Sequence, residues 1–295
     1  MTAPHPDPLR WKALAVVCAA FFMTVLDVSI VNVALPSIGT GLHFAPDDLQ
    51  WVITAYAITF GGFLMLGGRA ADLFGRRKIF VVGVVVFTIA SFFCGLAWSE
   101  GVLIASRAVQ GLGAAIISPA ALSILSTTFK EGRERNIALG VWGAVGGFGA
   151  AAGVLLGGIF TDVLSWEWIF FVNVPFGAAA FALTPFLLGE SRDAEARTFD
   201  VPGAVLVTTG LSSLVYAITQ AGRDGWLAAT TLAFFAAALV LLAAFAVWLG
   251  VQSRVREPER ADSPRSGLAG GDGDGFRGDA ASEAGTEPDL ADARR

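Results

Sequence analysis

Residues 67–78 read GGRAADLFGRRK: two glycines, one acid at Asp72, a turn glycine at Gly75, and then the basic run Arg76, Arg77, Lys78. The stretch reads as a short charged connection, because apolar runs flank it on both sides, Trp51 to Leu66 and Ile79 to Trp98. Each run approaches the roughly 20 residues that a helix needs to cross a bilayer. A charged link between two such runs decides the class, an all-α polytopic membrane protein.

Composition points the same way. A soluble domain is typically about a quarter charged, whereas here the charged share is 15% and the hydrophobic share 55%. Up to Gln252 the chain holds 13 basic and 15 acidic residues, and beyond it 7 and 10, so neither part has the basic excess of a nucleic-acid binder. Cys18 and Cys94 both fall inside apolar runs, without CxxC spacing, and read as small core residues. The first apolar run is too long for a signal peptide and carries Asp27, and no small-residue cleavage site follows it, so it is expected to be retained.

Apolar length and polar punctuation give eight segments, at about 11–36, 51–68, 79–98, 101–126, 136–160, 168–188, 201–221 and 226–250. An even number puts both ends on one side. Arg10 and Lys12 precede the first segment, Arg69, Arg76, Arg77 and Lys78 follow the second, and Lys130, Arg133 and Arg135 follow the fourth. Arg192 and Arg197 follow the sixth and Arg254, Arg256 and Arg260 the eighth, while the alternate loops hold only Arg223. By the positive-inside rule both termini are expected in the cytoplasm. The organisation expected is a cytoplasmic N-terminus over 1–10, six helices over 11–188, a cytoplasmic loop over 189–200 and two further helices over 201–250. A tail follows over 251–295, where large apolar residues almost vanish; such a segment cannot bury enough surface to offset its ordering entropy and is expected to be disordered.

A charge near the bilayer centre costs at least about 2.5–3.5 kcal/mol, so ionisable residues there are functional candidates. Two qualify, Asp27 and Arg107. Counted at 1.5 Å per residue, Asp27 lies roughly 13 Å below the outer end of its segment and Arg107 roughly 10 Å below the outer end of its own, which permits pairing. Arg107, Gln110, Gly111, Ala114 and Ser118 share one face of segment four, and Ala20, Thr24, Asp27 and Val31 one face of segment one. A water-filled cavity between these faces is one expectation, and a buried salt bridge that fixes helix packing the other. In segment five, Gly146, Gly149, Gly153 and Gly157 fall within about 80° of one another, so a second helix can approach closely. Asp72, at the C-terminal end of segment two, calls for a cation, and Arg76, Arg77 and Arg135 are the candidates.

Other chemistries lack material. The chain has no GxxxxGK[ST] for a P-loop; its histidines, His5 and His43, lie outside the apolar segments, and Lys12, Lys78 and Lys130 all lie at segment ends. No enzyme, cofactor or metal site is expected.

These residues together resemble the major facilitator superfamily, in its fourteen-helix drug:proton antiporter branch (EmrB/QacA-like). LDVSIVNVALP (Leu26 to Pro36) is similar to the branch's first-helix motif, GGRAADLFGRRK to the signature between helices two and three, and RAVQGLGAA (Arg107 to Ala115) to the fourth-helix motif. SWEWIFFVNVPFG (Ser165 to Gly177) and FDVPGAVLVTTG (Phe199 to Gly210) resemble the beginnings of helices six and seven. The resemblance implies a six-helix N-terminal bundle followed by two extra helices. It implies that Asp27, Arg107 and Gln110 serve proton and substrate coupling, and that Gly68, Asp72, Gly75, Arg76 and Arg77 form a cytoplasmic latch touched by Arg135. Gly149, Gly153, Gly157 and Gly158 match the antiporter packing motif of helix five. Val154 stands where that motif has a proline that kinks the helix, and Glu167 where the branch commonly has arginine.

The implied function is a proton-coupled efflux antiporter in a bacterial cell membrane, exchanging protons for a small hydrophobic substrate, neutral or cationic. The resemblance fades near Arg254 to Pro258, whereas family members continue with six more helices. Alternating access rocks one half against the other, so the implied partners include a C-terminal half or a second copy in a homodimer. The competing expectation is a truncated or frameshifted membrane fragment without transport activity, or a structural partner subunit.

Overall fold

The computed structural model describes residues 9–191 and 200–256. The readings placed on 1–8, on the loop over 192–199 and on the tail from 257 onward lie outside the described residues. Among those described, the chain is helical throughout: α1 (Arg10–Leu42), α2 (Trp51–Phe74), α3 (Arg76–Gly95), α4 (Glu100–Thr128), α5 (Arg133–Val163), α6 (Trp168–Phe171), α7 (Asn173–Leu187), α8 (Val201–Asp224) and α9 (Ala229–Arg256). The short α6 and α7 form one span, Trp168–Leu187, broken at Val172, so that eight helical stretches are long and apolar enough to cross a membrane. The chain is an integral, multi-pass membrane protein.

Three boundaries stand out against the sequence reading. α9 runs on to Arg256, so that 251–256 continue the last helix instead of opening the tail, since no Gly or Pro interrupts them. The two others differ for a physical reason. The first segment does not stop at Pro36. It runs on to Leu42, where His43 turns the backbone into the left-handed region at φ 58° and the Phe44 N–H closes on the Gly39 carbonyl at 3.0 Å. A proline in a helix removes one backbone bond, but its fixed φ is helical and the helix passes through it. At 33 residues, α1 is about 50 Å long, longer than the apolar core of a bilayer, and Asp27 lies next to its midpoint.

The connection at 67–78 is also far shorter than it reads. Gly67 to Phe74 are the last two turns of α2, α3 begins at Arg76, and the whole link is Gly75. With φ 107° and ψ 126°, Gly75 occupies a conformation that side chains resist. Charge at the membrane edge costs little, so the helix keeps its backbone bonds satisfied past the apolar run and reverses at one residue.

Packing is pairwise: α1 lies against α5, α2 against α4, and α3 against α4 with α7 on its other side. Small residues make this possible. A Cβ on Gly113 would fall 2.6 Å from the Phe87 backbone nitrogen, and one on Gly67 would overlap the Ala115 carbonyl, so α3 and α2 both touch the backbone of α4 or come within reach of it. Helices in lipid associate by such close packing in place of a hydrophobic drive. Met23, Phe80, Phe87 and Ile117 fill the core between them.

Of the most apolar window of each span, 61% is buried in α1 and 6% in α9, which sets α1 at the centre and α9 at the lipid-facing periphery. α8 packs on α2. Its first turn is capped by Asp200, which accepts from the Gly203 N–H at 3.0 Å and from Trp248 Nε1 of α9, also at 3.0 Å. One carboxylate thus starts α8 and ties α9 to it.

Candidate functional site: a buried polar network beside an open cavity

The two intramembrane charges are partners. Arg107 Nη1 donates to Asp27 Oδ2 at 2.6 Å, with side-chain exposures of 1% and 0%. Arg107 sits on the first turns of α4, a helix started by Ser99, whose hydroxyl accepts from the Val102 N–H, and by Glu100 in its first turn. Its other bonds run to Gln110 Oε1 at 2.7 Å from the same Nη1 and to the Val52 carbonyl at 3.1 Å from Nε. The guanidinium carbon lies 4.3 Å from the centre of the Tyr56 ring, a distance at which a cation is attracted by the ring face.

Asp27 is met by donors from three directions. Besides Arg107, Oδ1 accepts from Gln110 Nε2 at 2.7 Å and from Asn173 Nδ2 at 3.1 Å. Both amides also reach Ser91 Oγ, at 3.1 and 3.0 Å, and Ser91 donates to the Phe170 carbonyl at 2.9 Å. Cys94 Sγ completes the ring against Gln110 Oε1 at 3.4 Å. Asp27, Ser91, Gln110 and Asn173 are all fully buried. Burying a charge pair is tolerable when its remaining donors and acceptors are satisfied, and here the network draws on six helices, α1, α2, α3, α4, α6 and α7.

Asp27 and Arg107 form a buried salt bridge. A cavity does lie between the two faces, but neither Asp27 nor Arg107 lines it. That cavity has a volume of about 420 Å³ and is lined by Thr24 and Val28 of α1, Tyr56 and Phe60 of α2, Ser118 of α4 and Ala150 of α5. Thr24 and Ser118, assigned to the polar stripes, do line it. Tyr56 belongs to both places, with its ring on Arg107 and against the cavity.

The second cluster surrounds Gly75. Asp72 Oδ1 accepts from Arg76 Nη2 at 3.1 Å, which identifies the cation that the acid called for. The other partners come from the end of the sixth span. The Arg76 N–H donates to the Ser191 carbonyl at 2.8 Å, the Arg77 N–H to Glu190 Oε1 at 3.2 Å, and Arg77 Nη1 to the Leu188 carbonyl at 3.2 Å. Glu190 thereby caps α3, which has no side-chain cap of its own.

Three residues stand elsewhere than expected. Arg135, expected at the Gly75 cluster, instead pairs with Glu131 at 3.1 Å and donates to the Ser126 carbonyl, because α5 begins beside the end of α4. Gly68 stands 3.3 Å, for an added Cβ, from the Pro119 side chain, and the tight backbone approach belongs to Gly67. Gly158 faces open space, while Gly149, Gly153 and Gly157 face α1; a Cβ on Gly153 would lie 2.6 Å from Ser29 Cβ and one on Gly157 2.9 Å from Val33 Cβ. Val154 is 58% exposed on an uninterrupted α5, so the proline kink is missing.

Ser91, Asn173, Tyr56 and Glu190 are the site residues that sequence reasoning missed. A lone amide or hydroxyl in an apolar segment carries the same signal as an ionisable group, only more weakly. Among the described residues no group of three or more His, Cys, Asp or Glu is placed to hold a metal ion.

Known proteins resemble this chain in sequence and in fold. The family model for the Major Facilitator Superfamily matches residues 17–264. The puromycin resistance protein pur8 of Streptomyces alboniger is 44% identical over 86% of this chain and 50% of its own length. The cephamycin export protein CmcT of Amycolatopsis lactamdurans is 44% identical over 80% and 49%, and the multidrug resistance protein Stp of Mycobacterium tuberculosis 41% identical over 77% and 42%. The chain spans about half the length of the curated relatives it matches. Among solved structures, the human organic anion transporter MFSD10 (TETRAN) superposes with a TM-score of 0.55 at 16% identity, covering 73% of this chain and 57% of that one. A bacterial homologue of the human lysosomal transporter Spinster gives 0.50 at 20%, covering 86% and 64%. Those two show the fold alone; by the family model and the sequence relatives, the chain belongs to the Major Facilitator Superfamily.

Proposed function

We propose that this chain forms the first half, with two additional helices, of a proton-coupled exporter of small hydrophobic molecules. The observation that carries the reading is the double position of Tyr56, against the cavity on one side and 4.3 Å from Arg107 on the other. Asp27 is the proton site. When a proton neutralises it, Arg107 loses its counter-charge and its hold on that side, and the Tyr56 ring that rests on Arg107 is free to shift into the cavity. A substrate pressing on Tyr56 acts through the same contact in reverse. One aromatic side chain thus links the two occupancies, which is the requirement for exchange.

The relatives named for puromycin resistance, cephamycin export and multidrug resistance suggest antibiotic-sized cargo, and the aromatic and hydroxyl lining suits neutral or cationic molecules alike. The basic end of the bundle, with Arg10, Arg76, Arg77 and Arg135, is the cytoplasmic end by the positive-inside rule, which places the Gly75 latch at the inward gate. Rocking about a midplane site takes two halves. The second is supplied by further chain or by another copy of this one.

The test is efflux of puromycin from a drug-sensitive bacterium under an imposed pH gradient, with this chain expressed alone and joined to the second half of the puromycin resistance protein. Gradient-driven efflux that disappears in Asp27→Asn is the expected result. Efflux unchanged in that variant removes Asp27 from the mechanism. Efflux absent in both arrangements supports a second reading, a membrane partner without transport of its own.

A further inference from the structure

Two neutral amides meet the same oxygen of Asp27. Gln110 Nε2 and Asn173 Nδ2 donate to Oδ1 at 2.7 and 3.1 Å, and both nitrogens also reach Ser91 Oγ. They differ in what holds the other end. Gln110 Oε1 accepts from Arg107 Nη1 at 2.7 Å and from the Cys94 thiol at 3.4 Å, so turning that amide would set its nitrogen against a guanidinium. Asn173 Oδ1 has no hydrogen-bond partner, although the residue is fully buried. A buried acceptor left unpaired is costly and rare in native proteins.

We infer that Asn173 changes its bonding when Asp27 takes up a proton: the carboxamide turns half a revolution about its Cβ–Cγ bond, withdrawing Nδ2 and presenting Oδ1 to the new Asp27 hydroxyl. The inference rests on the reading of Asp27 as the proton site. Ionised, Asp27 offers only acceptors, and each of the three side chains bonded to it is a donor. That arrangement dictates the present orientation, because the opposite one would set two bare oxygens against each other. A proton that comes from water and binds at Oδ1 turns this atom into a donor and reverses the demand.

Only one neighbour can answer it. Arg107 of α4 has no acceptor. The Gln110 oxygen is held by Arg107. The other titratable groups of the network, Tyr56 of α2 and Cys94 of α3, are engaged with Arg107 and Gln110 respectively. The Asn173 oxygen is free to move, and Ser91, whose hydroxyl both donates and accepts, can follow it by turning from the Phe170 carbonyl. When the proton returns to water the amide turns back. Asn173 is therefore a positioning residue that offers Asp27 a donor when it is ionised and an acceptor when it is protonated.

The chain has three asparagines, Asn32, Asn136 and Asn173, few enough to be followed individually. The full chain, isotopically labelled at the asparagine side-chain carbonyl and reconstituted in lipid, is taken through a pH titration by infrared difference spectroscopy. Two bands are expected to change with the same midpoint: a protonated-carboxyl stretch that is lost in Asp27→Asn, and a label-sensitive amide carbonyl that moves to lower frequency as it gains a hydrogen bond and is lost in Asn173→Leu. Should Asn173→Leu fail to insert, Asn173→Thr assigns the band in its place. A carboxyl band without the amide shift overturns the role of Asn173 and leaves the proton site standing. Absence of the carboxyl band at every pH where the protein stays folded overturns both.

Discussion

The protein contains two clusters built from the same pair of groups, arginine and carboxylate, and they differ in nearly everything that follows from place. At the centre, Arg107 and Asp27 meet at 2.6 Å with exposures of 1% and 0%. At the edge, Arg76 and Asp72 meet at 3.1 Å with 14% and 32%, and Arg77 and Glu190 at 3.7 Å with 33% and 29%. Water screens the edge pairs and can replace either partner. At the centre no such replacement exists, so each group depends wholly on the others. The centre behaves as a unit that is intact or broken, and the edge as a set of weak contacts that can be adjusted one at a time. The first fits the proposed coupling site and the second the proposed gate.

The largest effect is expected from breaking the central unit on one side. Arg107→Met leaves Asp27 buried without its counter-charge, at a cost of about 3–5 kcal/mol, seen as a large fall in the thermal unfolding midpoint in detergent. The double variant Asp27→Leu with Arg107→Met removes both charges and is expected to recover most of that loss, because well-packed apolar residues replace a buried pair at little cost. A single variant that melts like the parent would mean that the pair does not hold the centre together.

A smaller effect separates the helix that carries Asp27 from its neighbour. Gly153→Val places a side chain where a Cβ already lies 2.6 Å from Ser29 Cβ and 2.9 Å from the Leu26 carbonyl. Overpacking of this kind costs about 1–3 kcal/mol, and because Leu26 adjoins Asp27 it is expected to disturb the central network as well. Gly158→Val, one helical position removed from the seam and facing open space, is expected to leave the unfolding midpoint unchanged. Equal behaviour of the two would show that α1 and α5 separate easily.

Much of this was legible in the residues. Eight spans follow from apolar length, and the depths of Asp27 and Arg107 permit their pairing, because a bilayer leaves a buried charge few alternatives. What could not be read is how helices meet. Nothing local distinguishes Gly67 from Gly68, or Gly157 from Gly158; only the rotation of α2 and α5 against their partners decides which glycine touches backbone. Arg135 matched the latch by position, yet the end of α4 and Glu131 lie nearer. Glu190 was invisible because its partners, the N–H of Arg77 and the Arg77 side chain, lie 113 residues earlier. The Gly67–Lys78 link reads longer than it is, because charge marks only the end of the apolar layer and not the end of a helix.

The smallest effect belongs to the edge, and it is the one that most sharpens the contrast. Arg77→Ala and Glu190→Gln each remove one side of a half-exposed pair, for which about 0.2–1 kcal/mol is typical. Glu190→Gln is expected to cost less than Arg77→Ala, because a glutamine oxygen can still cap the Arg77 N–H, whereas the alanine loses the bond to the Leu188 carbonyl too. Their coupling, read from a double-mutant cycle, is expected to shrink as salt is raised, since charges open to water are screened over about 10 Å at 0.1 M. The coupling of Asp27 with Arg107, measured in the same way, is expected to ignore the salt, because ions do not reach it. A central coupling that faded with salt in step with the edge would mean that water enters the network in the resting protein, and the division into a closed unit and an adjustable rim would fail.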